Sequence, residues 1–228
     1  MYIVELYNVK KIYKSGNREW IGLNDVTLKV EKGEFLSIIG PSGSGKTTLL
    51  NIIGLMDSPT SGHVIIDGKD VTYTTEKEKA LLRNKYIGFV FQSYNLISFM
   101  TVYQNVELPL IIAGIGEKER RERVMEVLKT VPGLLELKDK KPNQLSGGQQ
   151  QRVAIARALV TDPPIILADE PTANLDTTTG QQIVELFRDI KERLGKTIIM
   201  ATHDLEMLKY SNRIVYIRDG KIEKEEVK

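Results

Sequence analysis

The stretch that decides the fold is Phe35-Leu36-Ser37-Ile38-Ile39-Gly40-Pro41-Ser42-Gly43-Ser44-Gly45-Lys46-Thr47. Its first five residues form a short, almost unbroken apolar run, which is typical of a parallel strand covered on both faces. The rest has the pattern G-x-x-x-x-G-K-[ST], and the residues from Thr48 to Leu55 are helical in pattern. A strand, a glycine-rich turn and a helix in this order predict a loop that binds phosphate.

The residue types of this loop suit a triphosphate. Gly43 and Gly45 permit unusual φ values, so that successive N–H groups can wrap a phosphate. The helix that follows adds its positive N-terminal end. Lys46 brings a full positive charge, and the hydroxyl of Thr47 is placed to ligate Mg²⁺. We therefore predict that the triphosphate is held by Gly40, Ser42, Gly43, Ser44, Gly45, Lys46, Thr47 and Thr48.

Two further apolar runs, Ile165 to Ala168 and Thr197 to Ala201, are also typical of buried parallel strands. Asp169 and Glu170 follow the first run, and His203 lies just past the second. Because ligands collect outside the carboxyl ends of parallel strands, we expect these side chains to share one crevice with the phosphate loop. Asp169 suits support of Mg²⁺, Glu170 suits polarisation of an attacking water, and His203 can donate to the γ-phosphate. Helix caps also carry acidic residues, which is the structural alternative for the carboxylate pair.

The remaining segments predict an α/β fold. Short β-type runs, read together as an antiparallel region near the N-terminus, are Met1 to Val9, Gly22 to Val30, Val64 to Asp67 and Ile87 to Phe91. Helical patterns occupy Thr75 to Asn84, Glu117 to Val131, Gln149 to Val160 and Gly180 to Leu194. We expect one domain over 1–228, with a core in 1–76 and 161–228 and a mostly helical lobe at about 77–160. The charged tail from Arg218 to Lys228 is expected to fray after a last strand at Ile214 to Ile217.

Composition excludes several classes of protein. Lys+Arg 32 against Asp+Glu 30 leaves a net charge of +2, which gives no strong field for nucleic acid or anionic lipid. The lack of cysteine excludes disulfides, thiolate nucleophiles and iron–sulfur clusters, and two histidines exclude a multi-histidine metal site. His63 is expected in a surface loop. The longest apolar runs fall short of the ~20 residues that span a bilayer, and the N-terminus lacks a secretion signal. These features predict a soluble, cytosolic chain.

A second motif, Leu145-Ser146-Gly147-Gly148-Gln149, precedes the helical segment that ends at Val160. Ser146 followed three residues later by Gln149 predicts a capping box. Two glycines at a helix N-terminus also remove side-chain bulk where N–H donors point outward, which creates a second anion site. Both interpretations can hold together.

With these motifs, the sequence resembles the nucleotide-binding subunit of ATP-binding cassette (ABC) transporters over essentially its whole length. The loop from Gly40 to Thr47 is similar to the Walker A motif, Ile165 to Glu170 to Walker B, and Leu145 to Gln149 to the family signature. Gln92 lies where the family has its Q-loop glutamine, and His203 resembles the switch histidine. Residues 173–176 resemble the D-loop, although Ala173 stands where many relatives have serine. Tyr13 fits the aromatic residue that stacks on adenine, its alternative being a strand-edge tyrosine.

The resemblance implies a P-loop NTPase (RecA-like) core that binds ATP and Mg²⁺ and hydrolyses ATP. Catalytic roles would belong to Glu170, His203, Gln92 and Lys46, and Mg²⁺ would be held by Thr47, Gln92 and Asp169. It also implies a head-to-tail homodimer, in which ATP on the loop of one subunit is covered by Ser146, Gly147, Gly148 and Gln149 of the other. The remaining partner would be an integral membrane permease subunit, which would place the chain in the cytoplasm, peripheral on the inner face of the membrane.

Three stretches resemble one clade, that of macrolide exporters, lipoprotein-release systems and the cell-division ATPase: Phe91 to Leu96, Asn105 to Leu110 and Pro142 to Leu145. This clade implies export. The apolar cluster of Leu96, Ile97, Phe99 and Met100 would form a docking groove for the permease, or be buried in the domain's own core. Regulation of a membrane partner without transport stays open as an alternative. Soluble DNA-repair ATPases are disfavoured because no sustained heptads separate Lys46 from Asp169, and translation factors because only one set of motifs is present.

Overall fold

The computed structural model describes residues 1–16 and 18–228. The strands in this part of the chain are β1 (Tyr2–Ser15), β2 (Arg18–Glu31), β3 (Phe35–Ile39), β4 (Ser61–Ile66), β5 (Lys69–Asp70), β6 (Ile87–Val90), β7 (Ile165–Asp169), β8 (Thr197–Thr202), β9 (Arg213–Arg218) and β10 (Lys221–Val227). The α-helices are α1 (Lys46–Ile53), α2 (Glu76–Tyr86), α3 (Val102–Ile112), α4 (Glu117–Thr130), α5 (Gly147–Leu159) and α6 (Thr177–Leu194). Short 3₁₀ turns lie at Leu135–Leu137, Pro142–Gln144 and Leu205–Tyr210.

The strands form two sheets. The central six-stranded sheet has the order β10-β9-β3-β8-β7-β6, and the pairs from β9 to β6 are all parallel. The second sheet has the order β2-β1-β4-β5 and is antiparallel. The predicted fold class is confirmed: an α/β P-loop core with a parallel sheet, an N-terminal antiparallel sheet and a helical subdomain.

Alternation along the central strands divides the core into two clusters. Ile165 and Leu167 of β7 pack with α1 and the antiparallel sheet, whereas Ile166 and Ala168 pack with residues of α3, α4, α5 and α6. Successive side chains of a strand point to opposite faces, so one short apolar run supplies both clusters. This explains why the predicted parallel strands have unbroken apolar sequences.

The helices begin where capping residues predict. Thr75, Thr101 and Ser146 each form a capping box at the start of α2, α3 and α5. Helix α3 contains Pro109 and was not among the predicted helices. On α4, Val124 and Leu128 are fully buried, so the predicted amphipathic stripe is confirmed there.

One predicted strand belongs to the other sheet. The run Ile87 to Phe91 was assigned to the antiparallel region, but Ile87–Val90 pairs parallel to β7 at the edge of the central sheet. Gly88 lets this strand lie against α5, since a Cβ atom there would be 2.3 Å from the carbonyl oxygen of Ala158. A four-residue apolar strand carries no periodicity that reveals its partner, which is why the assignment was wrong.

The charged C-terminal tail is ordered, contrary to the prediction that it frays. Lys221–Val227 pairs antiparallel with β9. Glutamates of the tail, which the sequence suggested were exposed to solvent, accept hydrogen bonds from β9. Arg213 donates to Glu225 at 2.8 Å, and the Tyr216 hydroxyl donates to Glu226 at 2.9 Å. The prediction for His63 was also wrong in part, because this exposed residue lies on β4 and not in a loop.

Candidate active site

A cavity of about 670 Å³ lies at the edge of the central sheet where the parallel strands end. Strand β3 leads into the phosphate loop, β7 into Glu170 and β8 into His203. The predicted crevice therefore exists, and its described lining is Tyr13, Trp20, Ile21, Gly22, Ser42, Gly43, Gly45, Lys46, Thr47, Thr48, Gln92, Glu170 and His203.

The phosphate loop has the backbone that the sequence predicts. Gly43 and Gly45 have φ values of 78° and 108°, in the left-handed region that favours glycine. Gly45 is also the N-cap of α1 and provides no side-chain cap. The first N–H groups of the helix are therefore left to a ligand, next to the positive end of the helix dipole.

Two predicted loop residues lie behind the cavity. A Cβ atom on Gly40 would be 2.1 Å from the carbonyl oxygen of Ile217, so glycine is required there for the loop to pack against β9. Ser44 is 3% exposed, and its carbonyl oxygen accepts a hydrogen bond from Gly220 N–H at 2.9 Å. These two residues determine the shape of the loop, and they do not belong to the described lining of the cavity.

Lys46 is buried at the base of the cavity. Its Nζ donates to the carbonyl oxygens of Gly40 and Pro41, at 2.7 and 3.1 Å, and lies 3.8 Å from Oε1 of Glu170. An ammonium group beside glycine-rich backbone supplies the positive charge that phosphate oxygens need.

Glu170 is fixed from several sides at the end of β7. Its N–H donates to the carbonyl oxygen of Ala201 at 2.9 Å, and its Oε2 lies 2.8 Å from Nδ1 of His203. Its φ is 47°, a left-handed conformation that costs energy for a non-glycine residue. The carboxylate is therefore held toward the cavity, near both Lys46 and the imidazole.

Asp169 lies beneath the cavity lining. Burial raises the pKa of its carboxyl and the charge of Glu170 raises it further, while a hydrogen bond with Thr47 and the charge of Lys46 act in the opposite direction. Its Oδ1 is buried and has no hydrogen-bond partner among the described residues. A buried carboxylate oxygen beside a hydroxyl fits a hard cation such as Mg²⁺, which is commonly bound by one or two protein groups together with substrate phosphates. No cluster of three or more His, Cys, Asp or Glu side chains suited to a metal occurs in the described ranges.

Gln92 follows β6, is exposed and lines the cavity. Its carbonyl oxygen accepts a hydrogen bond from Nδ2 of Asn174 at 3.1 Å, which joins it to the segment after β7. Of the apolar residues that follow, Phe99 is 72% exposed, whereas Leu96 packs on the larger core cluster. The cluster predicted for docking is therefore divided between surface and core.

Two aromatic residues, Tyr13 and Trp20, belong to the lining of the cavity. Tyr13 pairs with Trp20 across the β1–β2 hairpin, and their rings stack with centroids 5.4 Å apart. The Tyr13 hydroxyl donates to Asp57 at 3.0 Å. Trp20, with Ile21 and Gly22, was missed from the sequence, although a strand-edge tryptophan facing Tyr13 could have been found by pairing the two strands.

The N-terminal end of α5 lies apart from this cavity. Ser146 forms the predicted capping box, in which Gln149 N–H donates to its Oγ at 3.3 Å and Ser146 N–H donates to Oε1 of Gln149 at 2.9 Å. Gly147 and Gly148 occupy the first two helical positions, whose N–H groups have no partner within a helix. None of these residues belongs to the described lining of the cavity.

The ABC transporter family model matches residues 23–173, from the β1–β2 hairpin through Walker A and the signature to the D-loop. This chain belongs to the ABC transporter family. The segments that resemble its motifs thus lie in a member of the family. Walker A, Gln92, Glu170 and His203 line the cavity, whereas the D-loop segment and the signature do not belong to its described lining.

Several ABC proteins are similar over nearly the whole chain. The chain is 48% identical to the lipoprotein-releasing system ATP-binding protein LolD of Bacteroides thetaiotaomicron, over 89% of this chain and 93% of LolD. It is 48% identical to the macrolide export ATP-binding/permease protein MacB of Syntrophobacter fumaroxidans, over 99% of this chain but 32% of MacB. A dimeric, post-hydrolysis structure of the Methanocaldococcus jannaschii cassette MJ0796, bound to ADP and Pi, matches with a TM-score of 0.90 and 49% identity, over 98% of each chain.

These comparisons make the chain an ATP-binding subunit of an ABC transporter, of the MacB and LolD type, with the ATPase activity of the family. In the described residues no helix is both long and apolar enough to cross a membrane. The cavity brings together glycine-rich backbone, the ammonium group of Lys46, the carboxylate of Glu170 and the imidazole of His203, which are groups of the kind that ATP hydrolysis uses.

Proposed function

We propose that this chain hydrolyses ATP as a head-to-tail homodimer and so drives a separate membrane permease that exports its cargo. One observation carries the proposal: Lys46 and Glu170 share a cavity, while the second anion-binding helix end, at Ser146, lies outside its lining. A γ-phosphate bound at Lys46 would leave the Ser146 end of α5 without a ligand in a lone subunit. A two-fold pairing gives each of these surfaces a partner.

Within the cavity, each side chain has a proposed role. Gly43, Gly45 and Lys46 bind the phosphates. Glu170 accepts the proton of the attacking water, and His203 holds that carboxylate in place and donates to the γ-phosphate. Mg²⁺, held by Thr47, Asp169 and Gln92 with the phosphates, would neutralise their charge when bound. Tyr13 and Trp20 contact the base.

ATP would act as the link between the subunits. Its γ-phosphate provides the negative charge that the N–H groups of Gly147 and Gly148 on the partner bind. Hydrolysis and release of phosphate remove that contact, so the equilibrium returns to separate subunits. The dimeric MJ0796 cassette with ADP and Pi supports this arrangement, because it is 49% identical to this chain.

A membrane partner has a suitable surface between α2 and α3. A groove of about 360 Å³ is lined there by Arg83, Leu108, Pro109 and Arg157 among others. Ile112, which also lines the groove, is 73% exposed, and Leu81 on α2 is 66% exposed. Exposed apolar side chains around a groove favour an amphipathic helix as the occupant, and we assign it to a cytoplasmic segment of the permease. This chain would then work in the cytoplasm, at the inner face of the membrane.

The test of the sandwich is the dependence of ATPase activity on protein concentration. For an obligate dimer, activity per subunit should rise with concentration until the dimer is saturated, and it should fall on dilution. Activity per subunit that stays constant to extreme dilution, with no self-association in any nucleotide state, would contradict the proposal. For the permease, Ile112→Asp should abolish its stimulation of ATPase activity, while Tyr73→Asp, an exposed control outside the lining of the groove, should not.

A further inference from the structure

Helix α5 contains a buried polar side chain that the proposed mechanism does not use. Gln151 lies in the second turn of the helix and is fully buried. Its Nε2 donates a hydrogen bond of 2.7 Å to the carbonyl oxygen of Pro171. Its Oε1 is buried and has no hydrogen-bond partner among the described residues. The NH₂ group of this buried amide therefore has a hydrogen-bond partner, whereas its oxygen has none among the described residues.

Packing alone does not account for this residue. Methionine would fill a similar volume without burying an unpaired oxygen, and burial of an unsatisfied acceptor is unfavourable. What the amide provides, and an apolar side chain does not, is the bond to Pro171. The function of Gln151 therefore depends on what the Pro171 carbonyl positions.

Pro171 directly follows Glu170. The strained backbone of Glu170, with φ 47°, is held on one side by Ala201 of β8 and by His203, which follows β8. One residue further along the chain, the hydrogen bond from Gln151 to the Pro171 carbonyl attaches the same turn to α5. The direction of the Glu170 carboxylate is therefore set between β8 and α5, and a shift of α5 would change it.

The other end of this attachment is the signature motif. Gln151 is five residues from Ser146, about 7.5 Å along a rigid helix. The first turn of α5 packs closely against α6, since a Cβ atom on Gly148 would be 2.4 Å from Cγ2 of Thr179. Because this first turn and Gln151 belong to one continuous helix, a movement of the helix start is shared by the body of α5.

We propose that Gln151 is a positioning residue that couples the two nucleotide sites of the dimer. The inference rests on the proposed function: in the sandwich, Ser146 to Gln149 contact the nucleotide bound by the partner, while Glu170 serves the nucleotide of its own subunit. Phosphate contact at one site then moves α5, and the Gln151–Pro171 bond transfers that movement to the base at the other site.

The test compares Gln151→Met with Gln150→Met, a matched control at the preceding residue, whose Nε2 donates to the Leu145 carbonyl of the same motif. Gln151→Met should lower kcat about tenfold, with KM for ATP changed less than about twofold, and reduce the Hill coefficient for ATP toward 1. Gln150→Met should leave all three near wild type. A Gln151→Met variant that keeps the wild-type kcat and Hill coefficient would overturn the proposal.

A second variant, Gln151→Glu, tests the role of the hydrogen bond to Pro171 even if Gln151→Met does not fold. In Gln151→Glu, burial should keep the introduced carboxyl protonated at low pH, where its O–H can donate to Pro171. Relative to wild type at each pH, kcat and the Hill coefficient should be near normal at pH 6 and should fall by pH 9. Ratios that are the same at both pH values would count against a role for this hydrogen bond.

Dimerisation separates this proposal from the function on which it rests. In a Glu170→Gln background, Gln151→Met should still form the ATP-bound dimer in size-exclusion chromatography, because the bond transfers movement but does not bind nucleotide. If Glu170→Gln alone fails to dimerise, the sandwich is wrong. If it dimerises and only the added Gln151→Met abolishes the dimer, Gln151 is needed for assembly, and the coupling role is wrong.

Discussion

Nδ1 of His203 lies 2.8 Å from Oε2 of Glu170, and Oε1 of the same carboxylate lies 3.8 Å from Nζ of Lys46. One carboxylate therefore joins the ends of three neighbouring strands, β8, β7 and β3. Since Lys46 is the residue expected to meet the phosphates, the arrival of nucleotide would change the surroundings of Glu170 directly. In the proposed mechanism, this relationship would link ATP binding to the orientation of the Glu170 carboxylate.

Replacing Glu170 by glutamine should separate binding from hydrolysis. The amide keeps the size of the side chain but does not accept the proton of water, so hydrolysis should fall by about 10²–10⁴. ATP should still bind, and the ATP-bound dimer should accumulate in size-exclusion chromatography. Glu206→Gln, in the exposed turn after His203, serves as the control and should stay active. A Glu170→Gln variant that binds ATP and remains monomeric would refute the expectation.

Lys46→Ala should weaken nucleotide binding itself. The variant loses a charge-assisted contact with phosphate, which corresponds to about 10–100-fold in Kd. Isothermal titration calorimetry with ATP measures this, and Lys118→Ala on the exposed face of α4 is the matched control. Unchanged affinity in Lys46→Ala would show that the ammonium does not contact the phosphates.

Ser146→Arg should leave ATP binding to the monomer intact and abolish ATP-dependent dimerisation. A bulky cation at the N-terminal end of α5 blocks close approach of the partner and opposes the helix dipole. Thr130→Arg, at the exposed C-terminal end of α4, adds the same charge away from the proposed interface. Hydrolysis with wild-type cooperativity in Ser146→Arg would argue against the sandwich.

Asp169→Asn should stabilise the nucleotide-free protein and abolish Mg²⁺-dependent hydrolysis. Burial raises the pKa of Asp169 above its unfolded value, so the folded state binds the proton more tightly. Stability is therefore lost as pH rises from the unfolded pKa of this carboxyl through its raised folded pKa. Removing the charge should raise Tm at pH 7; a gain of about 1 kcal/mol corresponds to ~2–4 °C for a domain of this size.

Differential scanning calorimetry of Asp169→Asn without nucleotide measures that shift. Asp139→Asn, an exposed carboxylate after the Leu135–Leu137 turn, should leave Tm unchanged. A lower Tm for Asp169→Asn would mean that its interactions with Thr47 and Lys46 outweigh the cost of burial.

Trp20 provides a spectroscopic test of base binding, because it is the only tryptophan in the chain. ATP should change its emission, whereas inorganic tripolyphosphate, which lacks a base, should leave the emission nearly unchanged. Trp20→Ala should weaken ATP binding by about 2–10-fold, as expected for loss of one stacking contact. Equal responses to both ligands would place the base elsewhere.

Local sequence predicted most of the candidate site because its parts obey local rules. Gly43 and Gly45 adopt the left-handed backbone that only glycine accepts readily, and Ser146 and Gln149 form their capping box within one turn. The three predicted runs that end at Ile39, Ala168 and Ala201 could be aligned because parallel strands share one carboxyl edge.

The features that were missed depend on distant partners. Strand β6 is parallel because β7, far along the chain, lies beside it, and its own sequence is too short to specify that. Trp20 reaches the cavity through its pairing with Tyr13 across a hairpin. The bond from Gln151 to Pro171 joins two segments that nothing in the local pattern connects.

The outer strand β10 has a consequence for how copies of this protein meet. Its exposed side chains are mostly lysine and glutamate, and it borders the central sheet on the side away from β6. Unpaired strand edges can form hydrogen bonds with one another, and rows of charged side chains disfavour this pairing between sheets. If this chain pairs with a second copy and separates from it in each ATP cycle, as proposed, a charged strand edge would disfavour the competing sheet-to-sheet contacts that lead to fibrous aggregates.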